Sequence, residues 1–496
     1  MDKTNLMELE KVINSSNNNN NNSSTKDKLI DASDTDDSTI SWQEEYAYTL
    51  GTQAYICAYS WLYFAQLRYR WLSRNKTYEY NGPDMPYNQF YHYKDLITPA
   101  SNAEGTPNTD TLYSLCFLNL DKEPIVFSHP AIIDRYFSFE IASMTSDNFG
   151  YIGQRTTGKQ EGHFLIAGPN WDGKLPKGLR SCDIIRYPEK SNGTRLMNLP
   201  VTSPTKYAFG LVRTEVRDGD VKTVHDIQKK YILTPLSQWV NNEDPNPIDG
   251  NTFKPYELRK EGSLEEWKTI NRFMIDNPCL VQNKEFFKQF EQIGIGPGIM
   301  IEDLDESTKK GLIRAALEGK RLIKEMGKEG VGCSKKNGWS FPPREMGSAG
   351  YFQKFELRGA IQCAEGMISN DPEEAIYPNT TVDSDNKQLN GANRYTMTFR
   401  EEEIPDVNAF WSLTLYGSDN KLVAKSKSYC FSSRNSYKLE PGGRLVIHIQ
   451  AEKPSGAAIN WLQSPKNKEF LMVLRAYLPG GDVLSSNWKI PGLVKQ

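Results

Sequence analysis

Apolar positions along this chain change rhythm three times, and each change marks a different kind of element. Between Tyr46 and Leu67 no residue is charged, a stretch as long as the ~20 apolar residues that span a bilayer. The same stretch holds five tyrosines, two glutamines, two threonines and a serine, with Glu44, Glu45, Arg68 and Arg70 close on either side. That mixture predicts a long helix packing an aromatic face in a soluble protein, not a membrane span. After residue 110 the period shortens to two. Thr111–Leu120, Ile125–Phe127, Arg135–Ile141, Phe149–Gly153, His163–Ala167 and Tyr207–Thr214 read as short strands separated by Pro, Gly, Asn and Asp.

Helical spacing returns beyond residue 220. Val221, Val224, Ile227 and Tyr231 form one stripe, and Phe286, Phe287, Phe290 and Ile293 a second, stopped by Gly294–Gly298. Leu312, Ile313, Ala316, Ile323 and Met326 form a third, with Ser307 or Thr308 as its cap and Gly327 near its end. The last stretch alternates again in Tyr395–Phe399, Trp411–Tyr416 and Leu445–Gln450, while Phe470–Tyr477 is continuous enough for a central strand buried on both faces. The fold class expected is therefore α+β and multidomain. A disordered Asn/Ser/Asp-rich tail covers 1–40, a β-rich domain with its leading helix 41–215, and a helical connecting region 216–375. An antiparallel jelly roll or β-sandwich covers 376–496.

Composition narrows the function. With 38 % apolar residues among 496, the chain has enough apolar surface for real cores. The net charge is −3; the first 40 residues hold eight acids against four lysines, so the tail is −4 and the rest +1. A body so near neutrality argues against nucleic acid or an anionic membrane as partner. The start of the chain has neither a basic segment nor an apolar one, so no secretory signal is visible and an intracellular location is the default expectation. Seven scattered cysteines without a C-x-x-C pair give no disulfide framework, and five histidines far apart in sequence give no metal spacing, so no metal and no cofactor is expected. Phosphate-loop, dinucleotide and nucleophile-elbow motifs are also missing.

Two polar clusters stand out at strand ends. The first is Asn108, Asp110, Thr111, Tyr113 and Ser114; the second is Asp147, Asn148, Tyr151, Gln154 and Arg155. Arginine offers a fixed donor fork for a carboxylate or phosphate, and Asp with Tyr can supply acid–base chemistry. The candidate catalytic residues are Asp110, Tyr113, Asp147 and Arg155; the candidate ligand-binding set is Asn108, Asp110, Tyr113, Asn148, Tyr151 and Arg155. The competing reading makes Asn108 and Asp110 turn caps and pairs Arg155 with Asp110 or Asp147. In the C-terminal unit Trp411, Tyr416, Trp461 and Trp488 are either a ligand-contacting wall or core. Arg475, inside an apolar strand, needs a buried partner, with Glu140 or the acids near residue 401 as candidates.

Certain segments carry a family resemblance. Pro107–Ser114, Arg135-Tyr136, Asn148–Gly158 and Gly168-Pro-Asn-Trp-Asp-Gly173 resemble domain of unknown function 1254. Asn393–Phe399, Phe410–Tyr416, Asn460–Leu462, Leu474–Tyr477 and Trp488 resemble its usual C-terminal partner, domain of unknown function 1214. The resemblance implies a β-rich first part, a helical connection and a jelly-roll second part, often assembled as an oligomer, with no agreed reaction. Three functions remain open. The first is binding of a small amphipathic or carbohydrate-like ligand at an interdomain site; the second is a hydrolase of uncommon type using Asp, Tyr and Arg. The third is a structural or virion-associated β-sandwich protein, which the asparagine run of an AT-rich genome would suit.

Overall fold

The computed structural model describes residues 40–72, 85–101, 103, 105–180, 201–246, 263–424, 426, 428–455, 460–485 and 488–496. Residues 1–39 of the expected disordered tail (1–40) lie outside the described residues.

The uncharged run forms one helix, α1 (Trp42–Leu72), buried on nearly every side because both a sheet and other helices cover it. Helix α2 is Val221–Gln228, capped by Asp220, whose carboxylate accepts the Thr223 amide. Helices α3 (Leu264–Asp276) and α4 (Glu306–Glu329) pack on α1. Small residues set the α1–α4 distance. Gly311 lies against Ala47, Ala315 against Gly51 and Gly319 against Tyr55, so the two helices run parallel with their backbones close. No helix among the described residues is long and apolar enough to cross a membrane. Two details differ from the sequence expectation. The cap of α4 is Asp305, one turn earlier than Thr308, because its carboxylate accepts both the Thr308 amide (2.9 Å) and hydroxyl (2.6 Å). The stripe from Phe286 to Ile293 is broken into a helix, Lys284–Lys288, and a 3₁₀ turn, Glu291–Ile293, closed by Gly294 at φ +80°.

The strands of the first half are β1 (Tyr91–His92), β2 (Thr111–Asn119), β3 (Ile125–His129), β4 (Phe137–Ser143), β5 (Asn148–Gly153), β6 (Gly162–Ala167), β7 (Val201–Thr202), β8 (Tyr207–Glu215) and β9 (Ile232–Pro235). One sheet, antiparallel throughout, has the order β1-β2-β8-β4-β5; the second has the order β7-β6-β3-β9, with β7 parallel to β6. Their facing sides share an aromatic core that includes Phe127, Phe137, Phe139 and Phe164. The other side of the first sheet lies under α1, where Phe64 meets Phe209 at 5.9 Å and Trp71 meets Phe117 at 5.9 Å. The first half is thus three layers: helices, sheet, sheet.

The second half holds β10 (Ser334–Lys336), β11 (Trp339–Phe341), β12 (Ala375–Ile376), β13 (Asn379–Thr380), β14 (Tyr395–Phe399), β15 (Trp411–Gly417), β16 (Cys430–Ser432), β17 (Leu445–Gln450), β18 (Asn460–Gln463), β19 (Phe470–Tyr477) and β20 (Val494–Lys495). One sheet runs β10-β11-β13-β19-β15-β16, with β12 also on β19; the other runs β18-β17-β14-β20. Met397, Ile447 and Ile449 from one sheet and Leu413, Met472 and Leu474 from the other meet in one core. Strands β14 and β17 alternate buried and half-buried positions, as their sequences predict, and β19 is buried almost throughout between its neighbours. One pair departs from the antiparallel expectation. The pairing of β17 with β18 is parallel, where a direct hairpin would have made it antiparallel. Trp411 and Trp488 belong to this core, and the Tyr416 hydroxyl donates to the Pro107 carbonyl at 2.7 Å, so these rings form no ligand wall.

Candidate functional site

Strand alternation decides where the polar residues of the first half meet. On the side of the first sheet that faces α1, successive positions of β2 are Tyr113, Leu115 and Phe117, and those of β8 are Phe209, Leu211 and Arg213. Leu115, Phe117, Phe209 and Leu211 lie under the helices. One step further along the strands the surface turns polar. Register places Tyr113 beside Arg213, Arg213 beside Ser138, and Glu140 beside Tyr151. Four strands therefore contribute to one polar row on an otherwise apolar face, and residues from Gly347 to Tyr377 close over it.

The row is densely connected. Arg213 pairs with Glu140, whose side chain is 0 % exposed, and also donates to Asn370 at 3.2 Å. The Tyr151 hydroxyl lies 3.0 Å from Asp371 Oδ2 and accepts the Asp371 amide at 2.9 Å. Asn148 Nδ2 reaches Asp371 Oδ2 (2.8 Å) and Tyr151 Oη (2.9 Å), and Ser348 donates to Asp371 Oδ1 (2.8 Å). Arg155 stacks over the Tyr151 ring at 4.9 Å and donates to Glu374 at 2.7 Å; the Tyr136 hydroxyl donates to the same carboxylate at 2.7 Å. Gly347, at φ +86°, lets the covering loop approach this closely, since a Cβ there would stand 2.7 Å from the Asp371 amide.

A second branch starts at Asn108. Its carbonyl oxygen accepts the amides of Asp110 (2.7 Å) and Thr111 (3.1 Å), an Asx turn, and its Nδ2 donates to the Tyr477 hydroxyl at 2.6 Å. Asp110 is fully buried; Ser412 donates to it at 2.6 Å and Arg434 pairs with it. The Tyr477 ring lies 5.3 Å from Tyr136 and 6.1 Å from Tyr377, joining this branch to the row. Asp147 points elsewhere. It accepts from Thr145 (2.9 Å), the Gly350 amide (2.6 Å) and Arg358 (3.2 Å), and Arg358 in turn binds the Cys57 carbonyl of α1. Two expected pairings are corrected. Arg155 meets Glu374, not Asp110 or Asp147, because the covering segment delivers an acid that lies 219 residues on. Arg475 donates to the Thr106 carbonyl at 2.7 Å and stacks at 5.6 Å on Tyr416, not on Glu140, which Arg213 already occupies.

Residues 87–235 match the model of the protein family of unknown function DUF1254, and residues 374–481 match that of DUF1214. The chain is a DUF1254–DUF1214 two-domain protein. A solved structure with a similar fold is the VPA0106 protein from Vibrio parahaemolyticus, at 21 % identity and a TM-score of 0.67, covering 91 % of this chain and all (100 %) of that one. An uncharacterised protein from Burkholderia cenocepacia gives a TM-score of 0.40 at 11 % identity, over 90 % of this chain and 88 % of that one. No curated protein gives a significant match. In this DUF1254–DUF1214 chain the Arg155–Glu374 pair links the two matched segments. The stretch between them adds Ser348, Asn370 and Asp371.

The electrostatics of the DUF1254–DUF1214 junction follow from burial. Burial pushes the Asp371 carboxyl up to about 6 from the ordinary 3.8, against the hydrogen bonds of Asn148, Ser348 and Tyr151. Burial alone would lower the Arg213 guanidinium, but Glu140 beside it holds it well above the usual range, and Glu374 does the same for Arg155. Four buried polar atoms near the row have no hydrogen-bond partner: Ser138 Oγ, Asn148 Oδ1, Arg155 Nη2 and Arg213 Nε. Among the described residues no three His, Cys, Asp or Glu side chains stand together as a metal group. Sequence reasoning found Asn108, Tyr113, Asn148, Tyr151 and Arg155, which share this network, with Asp110 at its edge and Asp147 apart. It missed Arg213, Asn370, Asp371, Glu374 and Tyr377. Only Arg213 and Glu140 leave a signal, as lone charges at inward positions of apolar strands.

Proposed function

We propose that this protein binds a small amphipathic or carbohydrate-like ligand at the junction of its two halves, against the polar row. The observation that supports the reading most is unused hydrogen-bonding capacity beside half-buried phenols. Tyr113 and Tyr377 are half-buried next to Arg213 and Asn370, while Ser138 Oγ and Arg213 Nε nearby stay unpaired. Aromatic rings with a few convergent polar groups suit a ligand having one apolar face and several oxygens. The ligand-binding set is Asn108, Tyr113, Asn148, Tyr151 and Arg155, with Asp110 holding Asn108 in place. In this reading the C-terminal sandwich is a jelly roll whose buried Tyr477 backs the site by holding Asn108. The test is a screen of oligosaccharides and amphiphiles for those that raise the unfolding midpoint, repeated on Tyr113→Phe. That variant should keep its stability within about 1 kcal/mol and bind about tenfold more weakly. The reading fails if no compound stabilises the wild type, or if Tyr113→Phe binds equally well.

One observation favours hydrolysis as a second reading. A carboxyl raised to about 6 beside a phenol, Asp371 with Tyr151, has the character of a general acid. Turnover of ester and glycoside substrates that disappears in Asp371→Asn, with folding retained, would support it; equal turnover in that variant excludes it.

A further inference from the structure

The segment Gly168-Pro-Asn-Trp-Asp-Gly173 takes no part in the junction, yet its geometry is built around one side chain. The turn closes with the Trp171 amide donating to the Gly168 carbonyl at 3.3 Å. A Cβ on Gly168 would collide with the Leu120 carbonyl, and one on Gly173 would stand 2.6 Å from the Trp171 ring. Both glycines are therefore needed to seat the indole where it is. Part of the ring packs beside Val126, Leu165 and Leu179. The rest is open to two adjoining depressions that share Lys122, Glu123, Pro124 and Trp171 itself. One is about 460 Å³ and includes Lys122, Glu123, Leu236, Val240 and Asn241 in its lining; the other is about 90 Å³ and is lined by Asp121, Asn170 and Lys206 among others.

From this arrangement we infer that Trp171 is the platform of a second binding site, one that takes a neutral oligosaccharide. A sugar ring offers an apolar C–H face to the indole and hydroxyls around its rim. Glu123 is held by the Ser237 amide (2.7 Å) and hydroxyl (3.0 Å), so its carboxylate is fixed and still has lone pairs to accept a sugar hydroxyl. Lys122 and Asn241 are exposed at the same cavity and can donate or accept. Charge favours a neutral ligand. The lining of the larger cavity holds one lysine, Lys122, and one carboxylate, Glu123, and Lys206 beside it is already paired with Asp121 and Asp276. An acyl chain would need a continuous apolar wall, and charged or amide groups interrupt this one. The larger depression is shallow and open, so it would cover one face of a sugar and leave the other in solvent.

The test titrates the full chain with maltotriose, cellotriose and tri-N-acetylchitotriose, using saturation-transfer NMR and calorimetry. At least one should bind, and Trp171→Ala should weaken it about tenfold. Val240→Arg is the control for folding. Val240 is 60 % exposed, so a long side chain there can obstruct the groove while the fold is kept, and it should weaken binding as much. Circular dichroism should be unchanged in both. The proposal is overturned if none of the three sugars binds, or if binding survives both substitutions. It is also overturned if Tyr113→Phe abolishes binding while the groove variants retain it, which would assign the sugar to the junction instead.

Discussion

Glu374 has a side chain only 2 % exposed, and it depends on one cation, Arg155, and one phenol, Tyr136. Removing the guanidinium leaves that carboxylate buried against a neutral partner, so Arg155→Ala should lower the unfolding free energy by about 3 kcal/mol. Urea denaturation of both proteins measures this, and a change inside about 0.5 kcal/mol would contradict it. Asp371 gives a prediction with a sign. Its folded carboxyl titrates near 6 and the unfolded one near 3.8, so between those values the folded state holds the extra proton. Its contribution is full below about pH 4 and is lost as pH rises to 6. The stability difference between wild type and Asp371→Asn should therefore shift against the wild type by about 3 kcal/mol across that window, and stay flat above it. Denaturant melts at half-unit steps from pH 4 to 7 test it; a flat difference throughout would refute it. At this scale the sequence was legible wherever chemistry is local. Asn108 reads as an Asx turn because its partners are two and three residues away. Glu374 and Asp371 were not legible, because partners 219 and 220 residues away leave no spacing to read.

Elements were easier to read than contacts. Apolar runs and period two gave the longer strands of both halves, while short ones such as β9, β10, β13 and β16 hold too few residues to show a period. The run from Tyr46 to Leu67 gave α1, but its own periodicity could not reveal that helices and sheet enclose it. The joint between those layers is Asp147, which the sequence had offered as an acid for catalysis. Its partner Arg358 has a side chain 2 % exposed and rests on Trp61 at 5.0 Å and Phe355 at 4.9 Å. Asp147→Ala should therefore cost about 3–5 kcal/mol, through an uncompensated guanidinium between the turn after β4 and α1. The measurement that separates this from catalysis is ligand affinity of the folded fraction, which should not change. An intact unfolding midpoint with lost binding would return Asp147 to the site.

Across the whole molecule the two halves are joined by buried polar links as well as by a small shared apolar cluster of Tyr136, Ala375, Phe410, Tyr477 and Leu478. Asp110 accepts from Ser412 and pairs with Arg434, Asn108 donates to Tyr477, Arg155 pairs with Glu374, and Arg475 reaches the Thr106 carbonyl. Each joins residues more than two hundred positions apart, so each closes a long loop and needs residues of both halves in place. Such links are costly to leave half-made, because the surviving partner remains out of water. That asymmetry makes the halves depend on each other. Chains of this length commonly unfold in stages, so a single calorimetric transition, with equal van't Hoff and calorimetric enthalpies, is a discriminating expectation. Asp110→Ala is the variant that probes it. The substitution strands Arg434, whose side chain is 16 % exposed, and removes the acceptor of Ser412. The C-terminal sandwich keeps its own core, built from both of its sheets. It should therefore melt separately in the variant, at a temperature different from that of the first half, and scanning calorimetry should show two peaks in place of one. Two peaks already present in the wild type would mean that the junction does not couple the halves; one unshifted peak in Asp110→Ala would mean that the coupling does not run through Asp110.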